Sequence, residues 1–344
     1  MTGAKRIIAA YVFDRDPLAF GDADAAYLTH IIWSFGLVVE GRVTGQQWNQ
    51  IGKLKAYKER HPHIQTTLAI GGWEADGFSQ AAATAEGRKL FVDSALELVR
   101  EHGFDGIDID WEYPCSDVAG IAASPEDKPN FTLLIQALRE GLDTLPGPHK
   151  LLTIAVGASD SLVDNIECAK LSPLLDYVHV MTYDMSSGRR KAAHHTNLYP
   201  WAGQQPGEGN SVQQSIAAYA AAGFRKDQLV VGSAWYGRTW QGIHAPDGNP
   251  IGKMATNTGN VSYGIAKLRE SFIGKNGYIR YWDEQAHAPY LFDGENFISY
   301  DDEQSVREKG EYVRKEGLAG MMFWQWGSDP EGKLLAPMRE GLDG

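Results

Sequence analysis

Cysteine is nearly absent: Cys115 and Cys168 are the only 2 in 344 residues. They cannot build a disulfide framework, and no metal-ligand spacing includes either, so both fit as buried apolar fillers. Cationic charge is scarce as well. Lys and Arg number 32 against 44 Asp and Glu, a formal net charge of −12. That balance argues against a nucleic-acid surface or an anionic membrane as partner and is compatible with a neutral polymer. Long apolar runs are missing too. The opening Met-Thr-Gly-Ala-Lys-Arg leads straight into Ile7–Val12, a run too short to span a bilayer and without a cleavage-site pattern. No secretion signal is therefore expected in this stretch, and the chain is expected to be cytoplasmic or to come from a secreted protein whose signal has been removed. Low-complexity tracts, long charge blocks and internal repeats are also lacking. What is left is an ordinary globular composition, 43% hydrophobic and 22% charged, long enough for one large domain or two. The one surplus is aromatic, with 10 Trp and 15 Tyr. Flat rings can stack on the apolar faces of sugars, although most buried ones only fill a core.

One stretch organises the rest: Asp105-Gly106-Ile107-Asp108-Ile109-Asp110-Trp111-Glu112. Side chains alternate across a strand. Asp108, Asp110 and Glu112 therefore share one face, and Ile107, Ile109 and Trp111 share the other. The surrounding segments read as parallel strands buried on both sides, and carboxyls inside such a core are costly unless paired or put to use. Packed this closely they cannot all ionise, so at least one should hold a proton near neutral pH, which is the requirement for a general acid. A structural acid cluster or a metal site is the rival reading. An Asp-x-Asp pair alone would not decide between them, but the string running on through Tyr113-Pro114 is far more specific.

Apolar, strand-like runs recur at Ile7–Phe13, His30–Val39, Ile64–Gly72, Phe104–Glu112, Leu151–Ala158, Tyr177–Asp184, Leu229–Gly237 and Gly320–Trp326. Their Val, Ile, Ala and aromatic content suits parallel strands buried on both faces. Between most of them lie amphipathic stretches, among them Gln46–Arg60, Ala85–His102, Pro129–Leu145, Val212–Ala222, Asp301–Glu316 and Glu331–Leu342. Strands alternating with helices imply right-handed crossovers and a parallel sheet. Eight such units in this length predict an α/β fold, the (β/α)8 TIM barrel. An open doubly wound sheet is the alternative, but no Gly-x-Gly-x-x-Gly loop follows the first run. The rhythm breaks once. Trp240 to Ser299 is too long for a structureless loop and holds strand-like aromatic pieces, Tyr278–Trp282 and Pro289–Phe292. It reads as a small α+β insertion on the barrel rim between strands seven and eight. Residues 1–239 and 300–344 are then the barrel, and 240–299 the insertion.

Barrel enzymes place their chemistry at the carboxyl ends of the strands. The notable residues fall there: Gly71-Gly72-Trp73, Glu112, Met181-Thr182-Tyr183-Asp184, Trp235-Tyr236-Gly237-Arg238 and Phe323-Trp324-Gln325-Trp326. A terminal Tyr or Trp alone is more often core than site, and the joint placement is the stronger signal. Trp73 could lie along a sugar or plug the barrel.

The string from Asp105 to Pro114 resembles the catalytic strand signature of glycoside hydrolase family 18, the chitinases, and the resemblance covers nearly the whole chain. Gly71-Gly72-Trp73, Met181–Asp184 and Trp324 are similar to family motifs at strands three, six and eight. Tyr236-Gly237-Arg238 resembles the lead into the family's insertion domain, and Trp282-Asp283-Glu284 with Pro289-Tyr290-Leu291 resembles its interior. His195–Tyr199 is similar to the loop after strand six. Ala69 departs, standing where many members have Ser.

The resemblance implies hydrolysis of β-1,4 linkages between N-acetylglucosamine units in chitin or chitooligosaccharides. Residues two apart on a strand lie about 6.6 Å apart at Cα, and spacing alone would point to inversion at the anomeric carbon. The family resemblance implies retention instead, with the sugar's own acetamide oxygen attacking the anomeric carbon. It implies Glu112 as the acid and then the base, Asp110 as acceptor of the acetamide N–H, and Asp108 sharing a proton with Asp110. Tyr183 would donate to the acetamide oxygen. Asp184 would bind sugar or support the acetamide pocket, and Trp324 would floor the reacting subsite. Trp73, Gly72, Tyr113, Met181, Tyr236, Arg238 and Tyr11 complete the expected substrate-binding set, and Asp105 is structural. No cofactor or metal enters, and a monomer is expected. Two other readings stay in view. A lectin-like chitin-binding protein of this type would have lost the acid, and Glu112 is present. An endo-β-N-acetylglucosaminidase acting on N-glycan cores is disfavoured by the Trp-Glu-Tyr-Pro ending and by the insertion, because a raised wall suits a linear chain better than a branched one.

Overall fold

A computed structural model describes residues 6–16, 18 and 21–344. Residues 1–5, on which the reading of a missing leader partly rests, lie outside the described residues. The strands in chain order are β1 (Ile7–Phe13), β2 (His30–Val39), β3 (Arg42–Thr44), β4 (Gln65–Gly71), β5 (Gly106–Asp110), β6 (Leu151–Gly157) and β7 (Tyr177–Met181). Then follow β8 (Leu229–Ala234), β9 (Tyr236–Trp240), β10 (Val261–Gly264), β11 (Ile279–Asp283), β12 (Ala288–Phe292), β13 (Phe297–Ser299) and β14 (Gly320–Trp324). Parallel pairing runs β1-β14-β8-β7-β6-β5-β4-β2, and β2 pairs back with β1. The sheet closes, and the expected (β/α)8 barrel is present. Among the described residues no helix is long and apolar enough to cross a membrane.

The two-residue period sorts each strand into two layers. Ile8, Ala10, Val12, Ile107, Ile109 and Trp111 face outward into the large core shared with the helices. Trp111 stacks there on Phe78, centroids 5.3 Å apart. Ile7, Ala9, Tyr11, Ala69, Ala155, Met181 and Met322 face inward as a second, smaller cluster. Asp108 and Asp110 are buried on that inner side of β5, as the alternation predicts.

Boundaries differ where distant groups intervene. The run Leu229–Gly237, expected to be one strand, is two strands in two sheets. The Ala234 N–H is taken by Asp301 Oδ2 (3.0 Å) and the Trp235 N–H by the Trp324 carbonyl (2.9 Å), and the chain turns there into β9. The first helix begins at Ile51, not Gln46. Its approach is held off-helix by Asp14, whose carboxylate accepts from the Asn49 and Gln50 N–H groups (2.8 and 2.9 Å), and by Trp48 Nε1, which donates to the Phe35 carbonyl (2.7 Å). The hairpin β2–β3 was not expected. It turns on Glu40 and Gly41, both at positive φ (51° and 77°), the geometry of a two-residue hairpin turn. β5 ends at Asp110 and β14 at Trp324, so Glu112 and Trp326 lie just beyond their strands.

The second sheet, β10-β9-β13-β12-β11, is antiparallel. Where it returns to the barrel there is a buried node. Asp301 accepts from Lys309 Nζ (2.8 and 2.7 Å), Ser233 Oγ (3.0 Å), Thr196 Oγ1 (3.0 Å) and Ser305 Oγ (2.7 Å) as well as from the Ala234 N–H. Lys309 and Asp301 are fully buried, and the hydrogen bonds around them offset the desolvation that a bare buried pair would suffer.

Candidate active site

The acids stand in a graded environment. Asp108 is deepest and fully buried. It accepts from the Tyr11 hydroxyl (2.8 Å) and from Thr153 Oγ1 (2.5 Å). His179 Nδ1 lies 3.0 Å from that Tyr11 oxygen and 3.4 Å from Asp108 Oδ1, so four strands converge on one carboxylate. Asp110, two residues on, has a buried Oδ1 with no partner. Burial first, then the neighbouring Glu112 and Asp108, raises its pKa well above the usual carboxylate range. Asp110 is therefore biased toward its protonated form in the unliganded site.

Glu112 sits at the mouth. Burial pushes its pKa up from 4.5 to about 7; a hydrogen bond with Tyr113 opposes this, and the charge of Asp184 adds to it. An acid poised near neutrality can give a proton and take one back. Asp184 is set differently. Burial alone would raise it, but His195 and the Arg238 guanidinium outweigh burial and hold its carboxyl well below the usual range. Arg238 reaches it with two donors, Nε and a terminal nitrogen, each at 2.6 Å, a fork that fixes orientation as well as charge. Asp184 is at φ 57°, and its N–H donates to His195 Nδ1 (3.2 Å).

The aromatic residues floor and flank these groups. Trp324 stacks on Phe35 (centroids 5.6 Å, 22° between planes) and leans on Tyr11 and Phe13 at 5.9 and 6.3 Å. Tyr183 meets Tyr236 edge-on at 6.1 Å. Its hydroxyl donates to the Met322 sulfur at 3.9 Å, a weak acceptor that a substrate oxygen can replace. Gly71 and Gly72 are required by close approach. A Cβ on Gly71 would fall 2.0 Å from the Asp110 carbonyl, and one on Gly72 would fall 2.8 Å from the Phe35 ring. Trp73 is 55% exposed, so it does not plug the barrel.

These side chains line one open cleft of about 1810 Å³ at the carboxyl ends of the barrel strands. Glu112, Asp110, Tyr183, Trp73, Gly72, Tyr113, Met181, Asp184, Tyr236, Arg238, Trp324 and Tyr11 all reach it. Asp108 does not line it and touches it only through Asp110 and Tyr11. Sequence reasoning missed Phe35, Phe13 and Arg15, which also line the cleft, and Thr153 and His179 beneath it. Phe13 stands at the end of β1, and the rule that found Trp324 could have found it; Phe35 lies inside β2. Thr153 and His179 sit mid-strand and gave no local signal. Among the described residues no group of three or more His, Cys, Asp or Glu is arranged to hold a metal ion.

The model of glycosyl hydrolases family 18 matches residues 7–329, and the chain belongs to that family. It is similar to chitinase A1 of Niallia circulans, 40% identical over 324 residues that make up 87% of this chain and 46% of that protein. It thus spans less than half the length of that relative. Chitotriosidase-1 of Mus musculus is 31% identical, with 88% of this chain and 67% of that protein covered. Among solved structures, a family 18 N-acetylglucosaminidase from Paenibacillus barengoltzii superposes with a TM-score of 0.94 at 42% identity, covering 98% of this chain and 100% of that one.

Proposed function

We propose that this chain hydrolyses β-1,4 linkages between N-acetylglucosamine units in chitin or chitooligosaccharides, retaining configuration and using the substrate's acetamide as nucleophile. The observation that carries the reading is the buried, unpartnered Oδ1 of Asp110 in the cleft, beside a glutamic acid poised at about pH 7. A lone buried acceptor of this kind is satisfied by an N–H of the substrate, and an acetamide supplies one. The neighbours chitinase A1, chitotriosidase-1 and the N-acetylglucosaminidase all bear names that refer to this class of sugar.

The steps follow from the positions. A sugar lies on Trp324, and Glu112 gives its proton to the glycosidic oxygen as the bond to the anomeric carbon breaks. The acetamide carbonyl oxygen closes on that carbon, forming an oxazolinium ring. Asp110 accepts the acetamide N–H and stabilises the positive charge, with Asp108, held by Tyr11 and Thr153, behind it. The Tyr183 hydroxyl donates to the acetamide oxygen and holds it in line. Water then attacks the anomeric carbon from the side the leaving group vacated, Glu112 removes its proton, and the acetamide re-forms. Asp184 fixes the local charge, and Trp73, Gly72, Tyr113, Met181, Tyr236, Arg238 and Tyr11 shape the cleft around the sugar. In this reading residues 1–239 and 300–344 are the catalytic barrel and 240–299 an insertion that raises one wall. Glu112 in the cleft argues against a binding protein without turnover.

The test is hydrolysis of N-acetylglucosamine oligomers beside fully deacetylated oligomers of equal length, with product anomers followed by NMR at early times. Cleavage of the acetylated set alone, with β-anomer first, is expected. Equal cleavage of both sets, or α-anomer first, would overturn the acetamide mechanism.

A further inference from the structure

One buried imidazole in the barrel interior takes no part in the steps above. Along β7 the side chains of Val178 and Val180 join the outer core, so Tyr177, His179 and Met181 face inward. Met181 lines the cleft. His179 lies one layer deeper, buried, with its Nδ1 3.0 Å from the Tyr11 hydroxyl oxygen. β8 and β14 separate β7 from β1, and β2 and β4 separate β1 from β5. The contact among His179, Tyr11 and Asp108 therefore crosses the barrel interior. Its direction follows from the protons present. Tyr11 has one hydroxyl hydrogen, and it goes to Asp108 Oδ2 at 2.8 Å. The Tyr11 oxygen can then only accept from His179, so Nδ1 carries a hydrogen and donates it.

The other Asp108 oxygen is engaged as well, by Thr153 Oγ1 at 2.5 Å. His179 Nδ1 lies 3.4 Å from that oxygen, beyond a good N–H···O length, so its hydrogen serves Tyr11. A donor on the phenolic oxygen polarises the O–H and strengthens the bond that the hydroxyl makes in turn. Asp108 is thereby an acceptor on both oxygens, the pattern that favours a carboxylate over a carboxylic acid. Of Tyr11, Thr153 and His179, only Tyr11 lines the cleft, so any effect of His179 on a sugar passes through its neighbours. The other groups around this relay that can carry charge are Asp110, Glu112, Tyr183, Tyr177 and His30. Burial first, with His179 adding, pushes the His30 pKa down to about 4, so His30 is neutral at working pH. Tyr11, Tyr177 and Tyr183 are raised, by burial first, and stay protonated. Asp105, which His30 also feels, is paired with Lys58.

Resting on the hydrolase reading above, we propose that His179 is a positioning residue for the reaction. Its Nδ1–H, acting through the Tyr11 hydroxyl, keeps Asp108 an acceptor on both oxygens, so that a negative carboxylate stands behind Asp110 while positive charge develops on the sugar. The test measures kcat, KM and the pH profile of kcat/KM on an N-acetylglucosamine oligosaccharide. Wild type is set beside His179→Asn, whose side-chain amide can donate from about the same place, and His179→Leu, which cannot donate (His179→Met if Leu does not fold). Loss of the donor is expected to lower kcat roughly tenfold. KM should stay within about twofold, because His179 touches no sugar. The acid limb of the profile, set by the Asp108–Asp110 pair, should move up by about one pH unit, because a carboxylate that loses support takes a proton more readily. The alkaline limb, set by Glu112, should stay. His179→Asn should bring kcat and the acid limb back toward wild type. A role in packing alone predicts a lower Tm with kcat and both limbs unmoved, or an Asn variant as impaired as Leu, and either result would overturn the proposal. In a Tyr11→Phe background, His179→Leu should move the acid limb no further; an added shift there would overturn action through Tyr11. Each of these outcomes leaves the hydrolase reading standing. A wild-type enzyme that cuts no acetylated oligosaccharide would overturn that reading, and the role of His179 with it.

Discussion

The proton on Glu112 has a thermodynamic cost that can be measured without substrate. Burial is the main reason its pKa moves from 4.5 to about 7, so the folded protein holds this proton more tightly than the unfolded chain does. The sign follows from linkage. Below about pH 4.5 the carboxyl is protonated in both states and folding carries no penalty from it. As pH rises from 4.5 through about 7 the unfolded chain releases the proton first, and stability is lost over that window. The gap between 4.5 and about 7, at about 1.36 kcal/mol per pH unit, makes the full loss about 3 kcal/mol at pH 8.5. Glu112→Gln preserves shape and cannot ionise. Its urea midpoint should match wild type at pH 4.5 and exceed it at pH 8.5 by an amount that, multiplied by the m-value, approaches about 3 kcal/mol. Its turnover should fall by roughly 10²–10⁴-fold, as expected for loss of a general acid. A stability difference that is the same at both pH values would refute the reasoning, because Glu112 would then pay no burial penalty and have no raised pKa to act with.

The other expectations are kinetic. Tyr183→Phe removes a hydroxyl that in the resting site donates only to a weak acceptor, the Met322 sulfur, at 3.9 Å. We expect kcat to drop by roughly 10–100-fold with the melting temperature unchanged; a wild-type rate would take the hydroxyl out of the mechanism. Asp184→Asn removes a charge that raises the Glu112 pKa. The protonated acid is then lost at lower pH, and the alkaline limb of the kcat/KM profile should move toward acid. A limb that stays in place, or moves toward alkali, would show that the two carboxyls are not coupled.

Features encoded locally were legible before the structure, and those set by distant partners were not. Alternation along β5 is a property of consecutive residues, so the inward Asp108 and Asp110 and the outward Ile107 and Ile109 could be read directly. The end of β8 could not. Apolar composition continues through Trp235, and what stops the strand is the Asp301 carboxylate on the Ala234 N–H, 67 residues away. The late start at Ile51 has a similar cause, since Asp14 binds the N–H groups of Asn49 and Gln50. The β2–β3 hairpin turns on Glu-Gly, a weaker signal than Asn-Gly. The support of Asp108 was the least legible part of the site. Tyr11 and Thr153 are 97 and 45 residues from it, and each looks like ordinary strand filler until the barrel closes.

The Asp301–Lys309 node has a mechanical consequence. Both connections between the small sheet and the barrel pass beside it: Ala234–Tyr236 on the way out, and Ser299–Glu303 on the way back. Ser299 is fastened as well, its hydroxyl accepting from the His195 N–H at 2.9 Å. Swinging the wall would pull a partner from a fully buried charge, at a cost of several kcal/mol. Any movement of the small sheet against the barrel must therefore break buried hydrogen bonds of Asp301 and Ser299 first, so the two sheets are braced where their chains join.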